Sequence, residues 1–215
     1  MAEPTLAQPR RSLRRLVRQN AGFILLVLGL AFFRTAVADW NYVPSSSMEP
    51  TLYPGDVLVI NKLAYGPSVP FTRTRLVDIA QPERGDVITF FPSHTDNCLV
   101  KRVIGVPGDR LRIRGERVWL NDEELRVSEK DGFYWEALPG SSHKIADPAG
   151  ELQPAFAGEL IVPDGHYFVM GDNRANSYDS RYWGLVKESQ IVGKVAAVGL
   201  NVSERFFQRW ATQVL

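Results

Sequence analysis

Five arginines, Arg10, Arg11, Arg14, Arg15 and Arg18, stand ahead of an apolar run, and this one arrangement decides where the rest of the chain can fold. The uncharged stretch from Gln19 to Phe33 has 15 residues before Arg34 interrupts it, and Ala36-Val37-Ala38 follow. A full bilayer span needs about 20 residues, but a long arginine near one end can carry its charged head to the interface. Residues 21–38 therefore read as one transmembrane helix. The basic flank leaves residues 1–20 in the cytoplasm and everything after Asp39 on the outer face. The same stretch also has the layout of a cleavable targeting segment, with a basic start, a short apolar core and small residues at 36 and 38. Both readings stand on this stretch. Arg34 argues for retention, because the zone before a cleavage point is normally uncharged.

The chain has 215 residues, 45% apolar and 23% charged, which suffices for one core domain with a smaller insert. The net charge of +1 conceals an asymmetry, because residues 39–215 alone carry −4. That is no footprint for nucleic acid. Cys98 is the single cysteine, so no disulfide can form within the chain.

Beyond residue 39 the patterning is mainly β. Short runs rich in Val, Ile and Phe, bounded by turn residues, predict strands in GDVLVINK (55–62), GDVITFF (85–91), CLVKRVIG (98–105), GHYFVMGDN (165–173) and IVGKVAAVGL (191–200). Clean alternation on both sides of Arg114-Gly115-Glu116 predicts a hairpin over 110–121. Gly, Pro and acidic residues crowd 122–164, where strand signals weaken. The expectation is an antiparallel β-sheet domain of residues 39–109 and 165–215, with a smaller β and loop subdomain inserted at 110–164. Helical spacing returns only at 203–215, which predicts an amphipathic terminal helix.

Three stretches offer chemistry. In PSSSMEPTLYPGD (44–56), Pro44 and Pro50 stiffen the backbone around Ser45, Ser46 and Ser47. Ser45 and Ser47, two apart in an extended segment, project to the same side. In CLVKRVIG, Lys101 and Arg102 point to opposite faces of a strand, and Lys101 shares its face with Leu99 and Val103. An apolar setting disfavours the ammonium, and a neutral lysine can take a proton from a serine hydroxyl. In GDNRANSYDSRYWG (171–184), Asp179 can pair with Arg181, and Asp172 with Arg102. Taken singly, each stretch is an ordinary loop or strand edge.

Taken together and in this order after an apolar segment, they resemble the bacterial type I signal peptidases, as does NKLAYG at 61–66. The resemblance runs in blocks from about Val43 to Val198. It implies a Ser-Lys serine endopeptidase on the outer face of the bacterial cytoplasmic membrane that removes signal peptides after small residues at −1 and −3. By position it makes Ser47 the nucleophile, Lys101 the general base and Ser45 a member of the oxyanion hole. Ser177 would orient the lysine, and Asp179 and Arg181 would brace the site. Asp172 and Arg102 join as a supporting pair, and Val43, Met48, Leu52 and Val100 are expected to line the pockets for small residues. The partners implied are signal-peptide-bearing pre-proteins, membrane lipid and a nearby secretion machinery. No cofactor is needed. Ser46 stands where many members carry glycine, which suggests a bystander.

The three histidines, His94, His143 and His166, fall in no catalytic pattern, and the spacing of His94, Asp96 and Cys98 brings no second ligand pair, so no metal is expected. Two rival functions remain in the sequence. One is a dedicated peptidase of the same dyad class. The other is a secreted β module released after Ala38.

Overall fold

The computed structural model describes residues 13–67, 69, 72, 75–114, 117–148, 156, 158–203, 209 and 212–214. Two helices, α1 (Leu13–Gln19) and α2 (Ala21–Ala36), lead into β1 (Ala38–Tyr42), β2 (Asp56–Asn61), β3 (Val87–Phe90) and β4 (Leu99–Gly105). Then come β5 (Arg110–Arg114), β6 (Arg117–Leu120), β7 (Glu123–Glu124), β8 (Val127–Lys130), β9 (Phe133–Leu138), β10 (Ser141–Ile145) and β11 (Gly158–Ile161). The chain continues through β12 (His166–Met170), the single turn α3 (Ser180–Trp183), β13 (Val186–Lys187), β14 (Ile191–Asn201) and β15 (Thr212–Gln213).

The protein is mainly β, and the paired strands run antiparallel. The large sheet has the order β1-β2-β14-β3-β4-β12-β13, with β15 added on β14. Its curvature has a local cause. β14 pairs with β3 through its first residues and with β2 through the rest, and register shifts at Val195/Ala197 and Val198/Leu200 mark where it bends. Two smaller sheets, β11-β5-β6-β7 and β10-β9-β8, come wholly from residues 110–161. The first shares a core with the large sheet, because Leu111, Ile113, Val118 and Leu120 pack with Ile104, Phe168 and Met170. Gly105 permits this junction: a Cβ there would lie 2.6 Å from the Leu111 side chain.

The strands anticipated at 55–62, 85–91, 98–105, 110–121, 165–173 and 191–200 all form. The terminal helix requires correction. Thr212–Gln213 pair as a strand with Ala197 and Val198, and Val214 packs on the core beside them. Residues 204–208, 210, 211 and 215 lie outside the described residues. At the other end, no described helix is long and apolar enough to cross a membrane. The 16 residues of α2 reach about 24 Å, against a hydrocarbon core of about 30 Å.

Candidate active site

The serine-bearing loop joins β1 to β2 and is pinned at its neck, where Val43 N donates to Asp56 O and Gly55 N to Val43 O, at 2.8 and 2.9 Å. Within it Leu52 N donates to Met48 O at 2.9 Å across a turn, and both side chains point inward. Both have no exposed surface and pack with Leu58, Ile60, Val195 and Val198. The turn sets both in the core behind Ser47, packed with Val43, Leu58 and Val100, which wall a cavity beside it. What their burial achieves is to fix the backbone of Ser47 at the rim.

Lys101 meets Ser47 from β4. It pairs with Ile88 in the sheet and is 4% exposed. Its Nζ lies 2.6 Å from Ser47 Oγ, and it makes no ion pair among the described residues. Burial pulls its pKa down from 10.5 to about 8, against the opposing attraction of Asp179 and Asp172, with Arg181 pushing the same way as burial. The Ser45 hydroxyl reaches Ser47 Oγ at 3.4 Å. The cluster can therefore hold a serine hydroxyl against an amine that sheds its proton near neutral pH.

The loop after β12 supplies the third wall. Asp179 caps α3. Its carboxylate accepts from Arg181 Nε and Nη2, both at 2.8 Å, and from Gly171 N at 3.0 Å. Arg181 also donates to Arg174 O and Ser177 O. Gly171 is wedged between two site serines: a Cβ there would fall 2.2 Å from Ser177 Oγ and 2.4 Å from the Ser47 carbonyl oxygen. Ser177 faces the same cleft as Lys101, but its buried hydroxyl has no hydrogen-bond partner among the described residues. Asp172 receives Arg102 Nε at 2.9 Å, Arg102 Nη2 at 2.8 Å and Thr51 Oγ1 at 2.5 Å. Burial alone would raise the Asp172 carboxyl, but Arg102 and these hydrogen bonds hold it below its usual range.

Several residues that sequence reasoning passed over knit these walls together. Asn173 N donates to Ser47 O, and Asn173 Nδ2 donates to Ser46 O. Asn176 Nδ2 donates to Ser46 Oγ at 2.8 Å, so Ser46 docks the serine loop onto the loop after β12. Arg174 donates to Gly171 O and forms a double ion pair with the buried Glu136 of β9. His143 of β10 lies 3.4 Å from Glu136 and 3.8 Å from Asp172. Burial lowers its pKa to about 4, so it is neutral near pH 7. The long separation in sequence helped to hide this cluster: thirty or more residues lie between His143 or Glu136 and Arg174.

Two cavities border Ser47, Ser45, Leu99 and Lys101. One, about 60 Å³, is walled by Val43, Leu58 and Val100. The other, about 670 Å³, is walled by His94, Asn176, Ser177, Tyr178 and Tyr182. His94 thus stands at the cleft, packed against Tyr178 and Trp183, and His166 lies apart at the start of β12. Among the described residues no group of three or more His, Cys, Asp or Glu is placed to hold a metal ion.

Known proteins resemble this chain along most of its length. The family described as signal peptidase, peptidase S26, matches residues 14–200. A signal peptidase I of Pseudomonas aeruginosa is 38% identical over 200 residues, covering 83% of this chain and 69% of its own length. One from Pseudomonas fluorescens is 37% identical over 205 residues, covering 85% and 70%. A solved signal peptidase I from Enterococcus faecalis is 30% identical over 55% of this chain and 99% of its own, with a TM-score of 0.37. With a family match over most of its length and relatives this similar, the chain belongs to the signal peptidase family, peptidase S26, and is a serine endopeptidase of that family.

Proposed function

We propose that this endopeptidase removes signal peptides from exported precursors by a Ser-Lys mechanism, cutting after small residues at −1 and −3. The observation that carries the reading is the 2.6 Å contact between Ser47 Oγ and a buried lysine whose pKa is drawn down to about 8. Neutral Lys101 takes the proton of Ser47 as Oγ attacks the scissile carbonyl. The oxyanion accepts from Ser47 N–H and the Ser45 hydroxyl. Lys101 then gives the proton to the leaving amine, which frees the mature N-terminus and leaves an ester on Ser47. Water, deprotonated by Lys101, attacks that ester, and the Lys101 ammonium returns the proton to Ser47 Oγ as the acyl bond breaks and the signal peptide leaves as its carboxylic acid. The free hydroxyl of Ser177 is available to accept from the Lys101 ammonium once the lysine is charged. The Asp179–Arg181 and Asp172–Arg102 pairs hold the loop and strand that carry these groups.

The small cavity supports the specificity: its walls of Val43, Leu58 and Val100 leave about 60 Å³, room for a methyl-sized side chain and little more. The outer face of α2 supports an anchor. Phe23, Leu25, Leu26, Leu28 and Leu30 are all more than half exposed, and a helix apolar on every side belongs in lipid. In this reading residues 21–38 hold the protein in the bacterial cytoplasmic membrane with 1–20 inside. Residues 39–109 and 165–215 form the catalytic unit on the outer face, with 110–164 inserted, near membrane lipid and the secretion machinery that delivers precursors.

The test is a precursor bearing an A-x-A site, incubated with the protein purified from membranes, with products sequenced from their N-termini. The expected result is one cut directly after the second alanine, absent in Ser47→Ala. Cleavage that persists in Ser47→Ala overturns the mechanism. An enzyme whose own N-terminus begins at Asp39 overturns the anchor.

A further inference from the structure

The two cavities beside Ser47 differ about tenfold in volume, roughly 60 against 670 Å³, and that difference assigns the larger one a job. A peptide drawn across Ser47 leaves its acyl side in one cavity and its amine side in the other. The small residues expected before the cut match the small cavity. The large one would be left for the first residues of the mature protein.

Its wall is built for side chains. Tyr178 and Tyr182 stack with ring centroids 5.1 Å apart and tilted by 35°. His94 meets Tyr178 edge-on at 6.2 Å and lies 5.4 Å from Trp183, which in turn packs 5.9 Å from the fully buried Phe90. Trp183 Nε1 also donates to Tyr178 O at 3.3 Å. Tyr178 nonetheless stays 62% exposed. A row of rings braced from the core outward, with its last member left open beside the nucleophile, is a rigid surface offered to a ligand.

We propose that the ledge of His94, Tyr178 and Tyr182 binds the first residues after the scissile bond and favours a large apolar or aromatic side chain there. This rests on the reading of Ser47 as the nucleophile. An extended peptide turns alternate side chains to the same side, so one of the positions +1 to +3 faces the rings most directly. A single aromatic contact is worth roughly 2- to 10-fold in an equilibrium.

The experiment uses the membrane-embedded full chain and synthetic precursor peptides identical up to the cut, with Phe or Ala placed in turn at +1, +2 and +3. The readout is the ratio of kcat/KM for the Phe and Ala peptides, which is insensitive to the fraction of folded enzyme. The wild type should prefer Phe by about 2- to 10-fold at one position at least. Tyr178→Ala should bring that ratio close to one, and His94→Ala, on a different loop, should lower it too. Equal rates for both peptides in the wild type overturn the ledge alone, as does a preference that survives both substitutions. A protein that cuts none of the peptides removes the reading of Ser47, and the ledge with it.

Discussion

Lys101 and Arg102 are neighbours on β4, both sealed from water at 4% and 1% exposure, and the two faces of the strand treat them oppositely. Arg102 meets a carboxylate through two hydrogen bonds and gives further ones to Gly85 O and Thr51. Lys101 meets a serine hydroxyl. A buried cation with a counterion stays charged and serves the architecture. One without a counterion is pushed toward its neutral form, which is what a base requires. Exposure does not separate the two, and neither does residue class. The partner does.

The hardest way to break this contrast is to make Lys101 like its neighbour. Lys101→Arg keeps a positive charge, but a guanidinium stays protonated at any workable pH and cannot act as a base. We expect Lys101→Arg and Lys101→Ala to lose peptidase activity alike, by about 10³-fold or more, with the fold retained by circular dichroism. Substantial turnover by folded Lys101→Arg would show that the charge, not the base, matters.

Next comes the other face. Arg102→Met leaves Asp172 buried with Thr51 and a neutral His143 for company. Removing one partner of a buried pair costs about 3–5 kcal/mol. Chemical denaturation should register a loss of that size, and a loss below about 1 kcal/mol would place Arg102 among the ordinary cations.

Much of this contrast could be read ahead of the structure, and the reasons are physical. Strand periodicity is strictly two, so the opposite facing of Lys101 and Arg102 followed from their adjacency. The large sheet was equally legible, because its strands are apolar runs cut by turn residues. Pairings across distance were not. Glu136 and His143 lie in a stretch whose polar composition suggested loops, yet both are buried against Arg174 and the Asp172 pair. Met48 and Leu52 were expected near the pockets because they flank the serines. A turn closed by Leu52 N and Met48 O, which two-residue alternation could not foresee, buries both behind Ser47, against Val43, Leu58 and Val100. The tail from Ser203 has helical spacing, but Thr212–Gln213 found a free strand edge on β14 instead.

A third substitution sharpens the comparison by reversing its sign. Lys101→Met removes the amine and keeps most of the apolar stem. At pH 7 the native protein holds Lys101 charged against burial, a cost of up to about 3 kcal/mol for a pKa drawn from 10.5 to about 8. Lys101→Met should therefore be inactive but more stable than the wild type at pH 7 by denaturant midpoint, where Arg102→Met is less stable. A Lys101→Met protein that is destabilised at pH 7 would mean that the Ser47 contact more than offsets the burial.

The smallest expected effect is in pH, and its sign follows from the same lowered pKa. Below about pH 8 Lys101 is protonated in the native state as in the unfolded one, and the native state carries the full cost of the buried charge. Between about 8 and 10.5 the unfolded chain binds the proton more tightly, so the stability contributed at this site rises with pH. It levels off once both states are neutral. In Lys101→Met this rise should vanish, and subtracting the two pH–stability curves isolates it from every other titrating group. Activity should climb over the lower part of the same window, because only the neutral amine accepts the Ser47 proton. With a midpoint near 8, kcat/KM gains roughly tenfold between pH 7 and 9. His143, already neutral above about pH 4, cannot produce that rise. A midpoint near 10.5 would mean that burial does not tune Lys101, and the difference between the two faces of β4 would reduce to geometry alone.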